Sequence, residues 1–335
     1  MNKASLKKVL DVYNLQLKEI ITTDRGYRNK SVAFETSDNQ KLNLILYKRE
    51  PGIVNIINNA NKVSDYLSSK EFPTRKSISI NGNSILKFSS GDQLTYACLY
   101  NYLPGRTIPW EAYTKDHIKV LGMVMSNLHL EVSGLRIENS TIVSIVDILN
   151  EQLIRMLNYF SNENVIKAAN SKLRITINLV TLKKYQRLLF ILKKQKDQQV
   201  LHMDFVRGNI LFDEVGKSEK GKELKVGKIK ITGILDFEKV AYGARIIDIA
   251  RTLAFLLVDC KYKESSKVKK YFLYSGYNKR GKMELPDLKY LNPLVNYFWM
   301  YDLYKFMRHN PYEYLKDNAH YLRTIENLKA NKLVI

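Results

Sequence analysis

Apolar residues recur along this chain with two different periods. Leu6, Val9, Leu10, Tyr13 and Leu17 fall at helical spacing and predict a helix over residues 5–20. The period then shortens. Val32 to Thr36 and Lys41 to Lys48 read as strands joined by Ser37-Asp38-Asn39-Gln40, a hairpin. Pro51-Gly52 ends the second strand, and residues 53–69 return to helical spacing. Ile78 to Ile80 and Ser84 to Phe88 flank Asn81-Gly82-Asn83, a tight-hairpin signal. Leu94 to Tyr102 is extended and stops at Pro104-Gly105. Beyond residue 114 helical spacing takes over, at 114–130, 143–160 and 178–195. A β insertion follows at 199–237, and helices resume from 245. The lysine-rich stretch from Gly216 to Lys228 reads as a loop or hairpin tip. The order predicts an α+β chain of two lobes, a small antiparallel sheet with one inserted helix and then a mainly helical lobe.

Composition narrows the picture. A 45% apolar fraction over 335 residues is ample for a sizeable core. Two cysteines, Cys98 and Cys260, have no metal-like spacing, and five scattered histidines offer nothing for a zinc site. Residues 1–8 form an amphipathic start rather than an apolar signal segment. No apolar run reaches the ~20 residues of a membrane span, so a soluble, cytoplasmic protein with no membrane partner is expected. The net charge of +21 raises nucleic-acid binding as a reading. The lysines are spread along the whole chain without a nucleic-acid motif, so a solvated surface is the favoured account. The charge suits a phosphate-bearing substrate better than a polycationic one.

The chemistry gathers in the β insertion. Val200 to Phe212 contains His202, Asp204 and Asn209 in the pattern H-x-D-x-x-x-x-N. Phosphoryl transfer needs a carboxylate to position the acceptor hydroxyl and oxygen ligands to hold Mg2+ against the phosphates. An Asp with an Asn five residues later, on a loop between short strands, supplies both. The apolar strand Ile231 to Leu235 then ends in Asp236-Phe237, where a kinase places its metal-binding Asp. Asp248 opens an apolar helix as a candidate cap and a brace for the catalytic loop.

These segments resemble the aminoglycoside phosphotransferase and choline-kinase-like family, of protein-kinase-like fold. His202 to Asn209, Leu235 to Glu238 and Gly243 to Ala250 match its three C-terminal motifs. Leu99 to Gly105 looks like its hinge, Leu121-Gly122 through Leu128-His129 like its Leu-His helix, and Phe72-Pro73-Thr74 like the segment after its first-lobe helix. The resemblance spans roughly residues 25–310. It implies a nucleotide-binding lobe over residues 1–98 and a catalytic and substrate lobe over 99–335, with a hinge about 97–106. It implies ATP and Mg2+ as cofactors and a small-molecule hydroxyl (aminoglycoside, amino alcohol or sugar-like) as acceptor. Asp204 would be the base, and Asn209 and Asp236 the metal ligands. His202 and Asp248 would be structural supports, and His129 a core histidine. Asn101, Tyr102 and Leu103 would meet the adenine, and Gly26 would belong to the phosphate loop.

One departure stands out. Where the family carries a phosphate-reaching Lys or Arg on the strand after that loop, alignment on Tyr47 places Ile45. Lys48 lies on the other side of the strand. No Glu lies between Glu50 and Glu71, where its partner belongs; Asn58 to Asn61 occupy the region. Loss of both partners is coherent, since an unpaired buried charge is costly. It leaves two readings: another cation (Arg28, Lys30 or Lys41) serves ATP, or the chain is an impaired kinase that binds nucleotide. The intact Asp204, Asn209 and Asp236 favour catalysis.

Overall fold

The computed structural model describes residues 3–25, 29–90, 93–136, 141–214, 224–260 and 263–335. The first part is built from α1 (Lys3–Val12), β1 (Leu17–Arg25), β2 (Lys30–Thr36), β3 (Lys41–Tyr47), α2 (Ile53–Ser69), β4 (Ser77–Ile78), β5 (Leu86–Ser90) and β6 (Gln93–Asn101). The second part follows with α3 (Lys115–Ser133), α4 (Ile145–Phe160), α5 (Glu163–Ala168), α6 (Leu179–Lys183) and α7 (Tyr185–Lys193). Next come β7 (Gln198–Leu201), β8 (Ile210–Glu214), β9 (Lys225–Val226), β10 (Ile229–Ile234) and β11 (Ala241–Ala244). The chain closes with α8 (Arg245–Asp259), α9 (Ser265–Lys269), α10 (Leu291–His309), α11 (Tyr312–Leu315) and α12 (Ala319–Ala330).

The antiparallel sheet runs β1-β2-β3-β6-β4, with β5 also on β6. Alternation along its strands gives it two apolar faces. Val32, Phe34, Leu42, Leu44, Ala97 and Leu99 bury against Leu6, Val9 and Leu10 of α1. Ile45, Tyr47, Cys98 and Tyr100 point the other way, onto Ile53 and Ile57 of α2. Each helix therefore covers one face, which explains why both pleat parities of β3 are apolar.

Three expectations are corrected here. The predicted helix over 5–20 ends at Val12, because Asn14 takes φ 52, a left-handed turn that Asn tolerates. Leu17 then opens β1, opposite Thr36 of β2, and its side chain is 39% exposed, so its helical spacing was coincidental. Asn81 and Gly82 do form the tight turn, with φ 50 and 78 and paired Ile80–Asn83 hydrogen bonds. Its arms do not pair as a hairpin, however; β4 and β5 lie end to end along β6. Finally, Ala241–Ala244 is a strand, paired with β7.

In the second part α3 is the central post, buried along most of its length. Gly122 lets it approach the wide helical turns of Lys270–Asn278, since a Cβ there would sit 2.1 Å from the Phe272 carbonyl oxygen. The small sheet β8-β10-β9 and the β7–β11 pair rest on this post. Two backbone hydrogen bonds, Arg106 with Phe212, tie the segment after β6 to β8. The Ile234 amide donates to the Pro73 carbonyl at 2.7 Å, joining the two parts behind the cleft.

Candidate active site

β7 carries buried Val200 and Leu201 and delivers the chain to His202-Met203-Asp204. Met203 has φ 61, a conformation costly for a side-chain-bearing residue. Asp248, in the first turns of α8, holds it. Its Oδ2 accepts from the His202 amide at 2.9 Å and its Oδ1 from the Met203 amide at 3.0 Å. Asp248 is therefore no helix cap; its fully buried carboxylate is turned onto the loop instead. Burial acts to raise its pKa, but its hydrogen bond with His129 and the imidazoles of His129 and His202 hold it below the ordinary carboxylate value.

A one-way chain of donors supports this brace. Arg245 Nη1 donates to the Tyr277 hydroxyl at 3.2 Å, and that hydroxyl lies 2.8 Å from His129 Nδ1. His129 Nε2 is 3.2 Å from Asp248 Oδ2. With Arg only a donor, Tyr277 donates to Nδ1 and Nε2–H donates to the carboxylate. His202 performs the matching task for the next strand. Its Nδ1 accepts from the Asp204 amide at 3.2 Å, and its Nε2 faces the Leu235 carbonyl at 3.1 Å. Burial pushes this imidazole below its usual pKa, against the pull of Asp248, Asp204 and Asp236, which suits the neutral form.

Asp204 is brought beside Asn209 by a turn at Arg207–Asn209. Asn209 Nδ2 donates to both the carbonyl (2.9 Å) and Oδ2 (3.1 Å) of Asp204. That fixes the Asn209 amide with its Oδ1 turned to a separate use. The Leu235 amide donates to the Asn209 carbonyl at 2.8 Å, so the residue before Asp236 is pinned to Asn209. Asp236 itself has φ 59, a second left-handed residue at this cluster. His202, Asp204, Asn209, Asp236 and Asp248 thus form one constellation.

Gly26 of the expected phosphate loop and Arg28 lie outside the described residues. Asn101 ends β6 and Tyr102 follows it, but their amides are engaged, with the Lys76 and Lys41 carbonyls at 3.2 Å each. Among the described residues the Leu103 amide has no acceptor. Lys30, Lys41 and Lys48 are exposed on the sheet. The Lys48 amide binds Asn29 Oδ1 at 3.0 Å, while Asn29 Nδ2 reaches Glu238 Oε1 across the cleft.

Ile45 is buried among Ile53, Ile57, Cys98 and Tyr100. Near it lies a neutral relay: Tyr47 OH meets Tyr100 OH at 2.6 Å, and Tyr100 OH donates to Asn61 Oδ1 at 2.7 Å. Burial raises the pKa of Tyr47 and of Tyr100, so both phenols stay protonated. Arg75 rests over the Tyr100 ring at 4.7 Å, two residues from the Pro73–Ile234 junction.

Two features escaped the sequence motifs. Lys239, directly after Asp236-Phe237-Glu238, places Nζ 2.8 Å from Asp204 Oδ1. Beyond it opens a cavity of about 650 Å3, bounded by Met203, Glu238 and Lys239 on one side and Asn55 and Asn59 of α2 on the other. Lys239 stands three residues after Asp236 in the sequence, but nothing in that spacing shows its contact with Asp204, which depends on the turn to β11.

A helix-braced loop set against a six-stranded antiparallel sheet is the arrangement of a kinase-like fold. The comparisons agree. A family model described as the phosphotransferase enzyme family matches residues 21–259. The chain belongs to that family, and is a phosphotransferase with an alcohol group as acceptor. An amicoumacin kinase, hAmiN, solved with AMP-PNP, Ca2+ and Ami, superposes with TM-score 0.70 at 15% identity, covering 97% of this chain and 93% of that one. A microcompartment-associated aminopropanol kinase gives 0.63 at 12%, with 99% of each chain covered. An aminoglycoside phosphotransferase, APH(2")-IIia, solved with GDP and kanamycin, gives 0.61 at 17%, covering 98% and 99%. A search of curated proteins finds no match. No described helix is long and apolar enough to cross a membrane.

Proposed function

We propose that this protein transfers the γ-phosphoryl group of ATP to the hydroxyl of a small molecule held in the cavity beside Asp204. The observation that carries this reading is Asp204 itself. Its buried carboxylate is fixed on one oxygen by Asn209 (3.1 Å), while the other meets a lysine that lines the cavity (2.8 Å). Exchange of Lys239 for an acceptor hydroxyl leaves Asp204 in hydrogen-bond reach of the proton it must take. The hydroxyl oxygen bonds to the γ-phosphorus as the bond to the β,γ-bridging oxygen breaks. ADP leaves with that electron pair, and the proton goes to Asp204.

Asn209 Oδ1 and the Asp236 carboxylate are the residues that would hold Mg2+. The donor set fits. Among the described residues no three His, Cys, Asp or Glu side chains are placed to hold a metal ion by themselves, and Mg2+ is ordinarily bound by one or two protein oxygens together with substrate phosphates. When bound, the ion neutralises phosphate charge. Supporting the rest are Asp248 and His202, which set the loop; Leu103, whose amide is available for the adenine; and Arg75, a cation near the cleft's rear wall in place of the absent strand lysine. On this reading residues 1–98 bind nucleotide, residues 99–335 carry catalysis and acceptor, and the protein works in the cytoplasm.

The test is calorimetric ATP binding, with and without Mg2+, on the wild type and Asp236→Ala. Mg-dependent binding that the variant weakens supports the assignment. ATP binding that survives Asp204→Ala, with no transfer by the wild type to any of a broad hydroxyl panel, sinks it.

A further inference from the structure

On one side of the cavity beside Asp204, two cations converge on a single buried carboxylate. Arg251 of α8 and Lys305 of α10 both line it. They share one carboxylate: Lys305 Nζ lies 2.7 Å and Arg251 Nη1 3.6 Å from the same oxygen of Asp302. Burial acts to raise the Asp302 pKa, but Arg251 and Lys305 outweigh it and keep it below the ordinary value. Asp302 is thus ionised, and two cations face one anion.

The Arg251 contact is also incomplete. A separation of 3.6 Å is an ion pair without a hydrogen bond. Buried Arg251 Nη1 has no hydrogen-bond acceptor among the described residues. Its guanidinium rests over the rings of Phe255 (4.2 Å) and Phe298 (5.2 Å), which orient it without satisfying its donors. The remaining wall is largely apolar, with Ile145, Ile148, Leu149, Phe298 and Tyr301. Its acidic member, Glu238, already accepts from Asn29, and its third cation, Lys239, is the one on Asp204.

We infer that the acceptor is a hydroxylated, largely apolar carboxylic acid. Its carboxylate meets Arg251 and Lys305, its hydrocarbon or aromatic body lies on the α4 and α10 side chains, and its hydroxyl reaches Asp204. This rests on the phosphotransferase reading. A carboxylate supplies the planar oxygen pair a guanidinium fork accepts best. A polyamine would bring its charges against Arg251, Lys305 and Lys239, a juxtaposition that selects against it.

Three matched probes test the assignment on the full chain: 10-hydroxydecanoate, 10-hydroxydecanamide and 10-aminodecan-1-ol. Each is assayed with Mg-ATP by the mass of the phosphorylated product. Each is also titrated calorimetrically without nucleotide. The carboxylate is expected to exceed the amine at least about tenfold in kcat/KM and in affinity. Lys305→Gln should shrink that preference and Lys305→Glu reverse it. Lys305 is partly exposed, and a thermal melt checks that each variant folds; Lys305→Gln, which adds no second carboxylate beside buried Asp302, carries the test should Lys305→Glu unfold. Carboxylate-selective binding that Lys305→Glu abolishes, without phosphorylation of any probe, supports the anionic site while counting against the transfer reading. Equal handling of the three probes, preference for the amine, or no binding at millimolar concentration overturns the inference.

Discussion

The two walls of the cleft solve the burial of polar groups in opposite ways. The wall from the second part is ionic. Asp204, Asp236 and Asp248 stand around His202 and His129, and Asp248 alone takes two backbone amides and an imidazole. The wall from the first part is neutral, with Ile45 packed beside the relay of Tyr47, Tyr100 and Asn61. Desolvated charge survives only with partners, and the first wall has lost both partners together. The difference teaches that the residues proposed for phosphoryl transfer are gathered on one side, and that the other side is a packed roof.

The sharpest break of this contrast is Asp204→Asn. Removing the proposed base should lower kcat by about 10²–10⁴-fold, while ATP affinity stays within a few-fold because the substitution keeps the Asn209 contacts. Single-turnover kinetics beside nucleotide titration separates the two. A variant with undiminished kcat would take the chemistry away from the ionic wall.

Asp248→Ala should cost stability rather than chemistry alone, about 3–5 kcal/mol, because two buried backbone amides and the His129 Nε2–H are all left without an acceptor. Chemical denaturation reads this directly. The same wall predicts acid sensitivity. The His202 pKa is depressed in the folded state, chiefly by burial, against an unfolded value of about 6.5. Between those two values the unfolded chain binds more proton, so stability falls as pH drops through that window. Above about pH 6.5 His202 contributes no slope. A thermal midpoint that rises on mild acidification would contradict this assignment.

Much of the ionic wall was legible, and the reason is physical. Asp204, Asn209 and Asp236 need fixed residue types at short spacings, so they mark the sequence. Even Asp248 was visible as a brace, although its target atoms were not. The cavity was less legible. Phe298 and Tyr301 sit in a run of aromatics that spacing assigns to the core; Tyr297, Phe298, Trp299 and Tyr304 are buried, yet Phe298 and Tyr301 also line the cavity. Arg251 and Lys305 acquire meaning only because α8 and α10 bring them to one Asp302 oxygen. Edges misled too: Leu17 fits a helix register but belongs to β1, since a single φ at Asn14 redirects the chain.

Ile45→Lys tests whether the neutral wall is a coordinated replacement. Alone it buries an ammonium in an apolar cluster and should destabilise by about 3 kcal/mol. Adding Asn61→Glu should recover roughly 1 kcal/mol or more as a coupling energy in a double-mutant cycle. Additive losses would mean that Asn61 is not positioned to pair with residue 45.

The smallest effect separates the roles within the relay. Tyr100 OH accepts from or donates to Tyr47 OH, and donates to Asn61 Oδ1. With that donor committed to Asn61, Tyr47 is the donor in their contact. Tyr47→Phe therefore removes one hydrogen bond while leaving Tyr100 its own acceptor, and should cost only about 1 kcal/mol. Tyr100→Phe strands both the Tyr47 hydroxyl and the Asn61 carbonyl, and should cost about 2–3 kcal/mol. Neither change moves a charge, so kcat should hold within a few-fold in each. A large kcat loss on Tyr47→Phe, at unchanged stability, would show that the first wall does chemistry after all, and would make its hydroxyl the group to follow toward the phosphates.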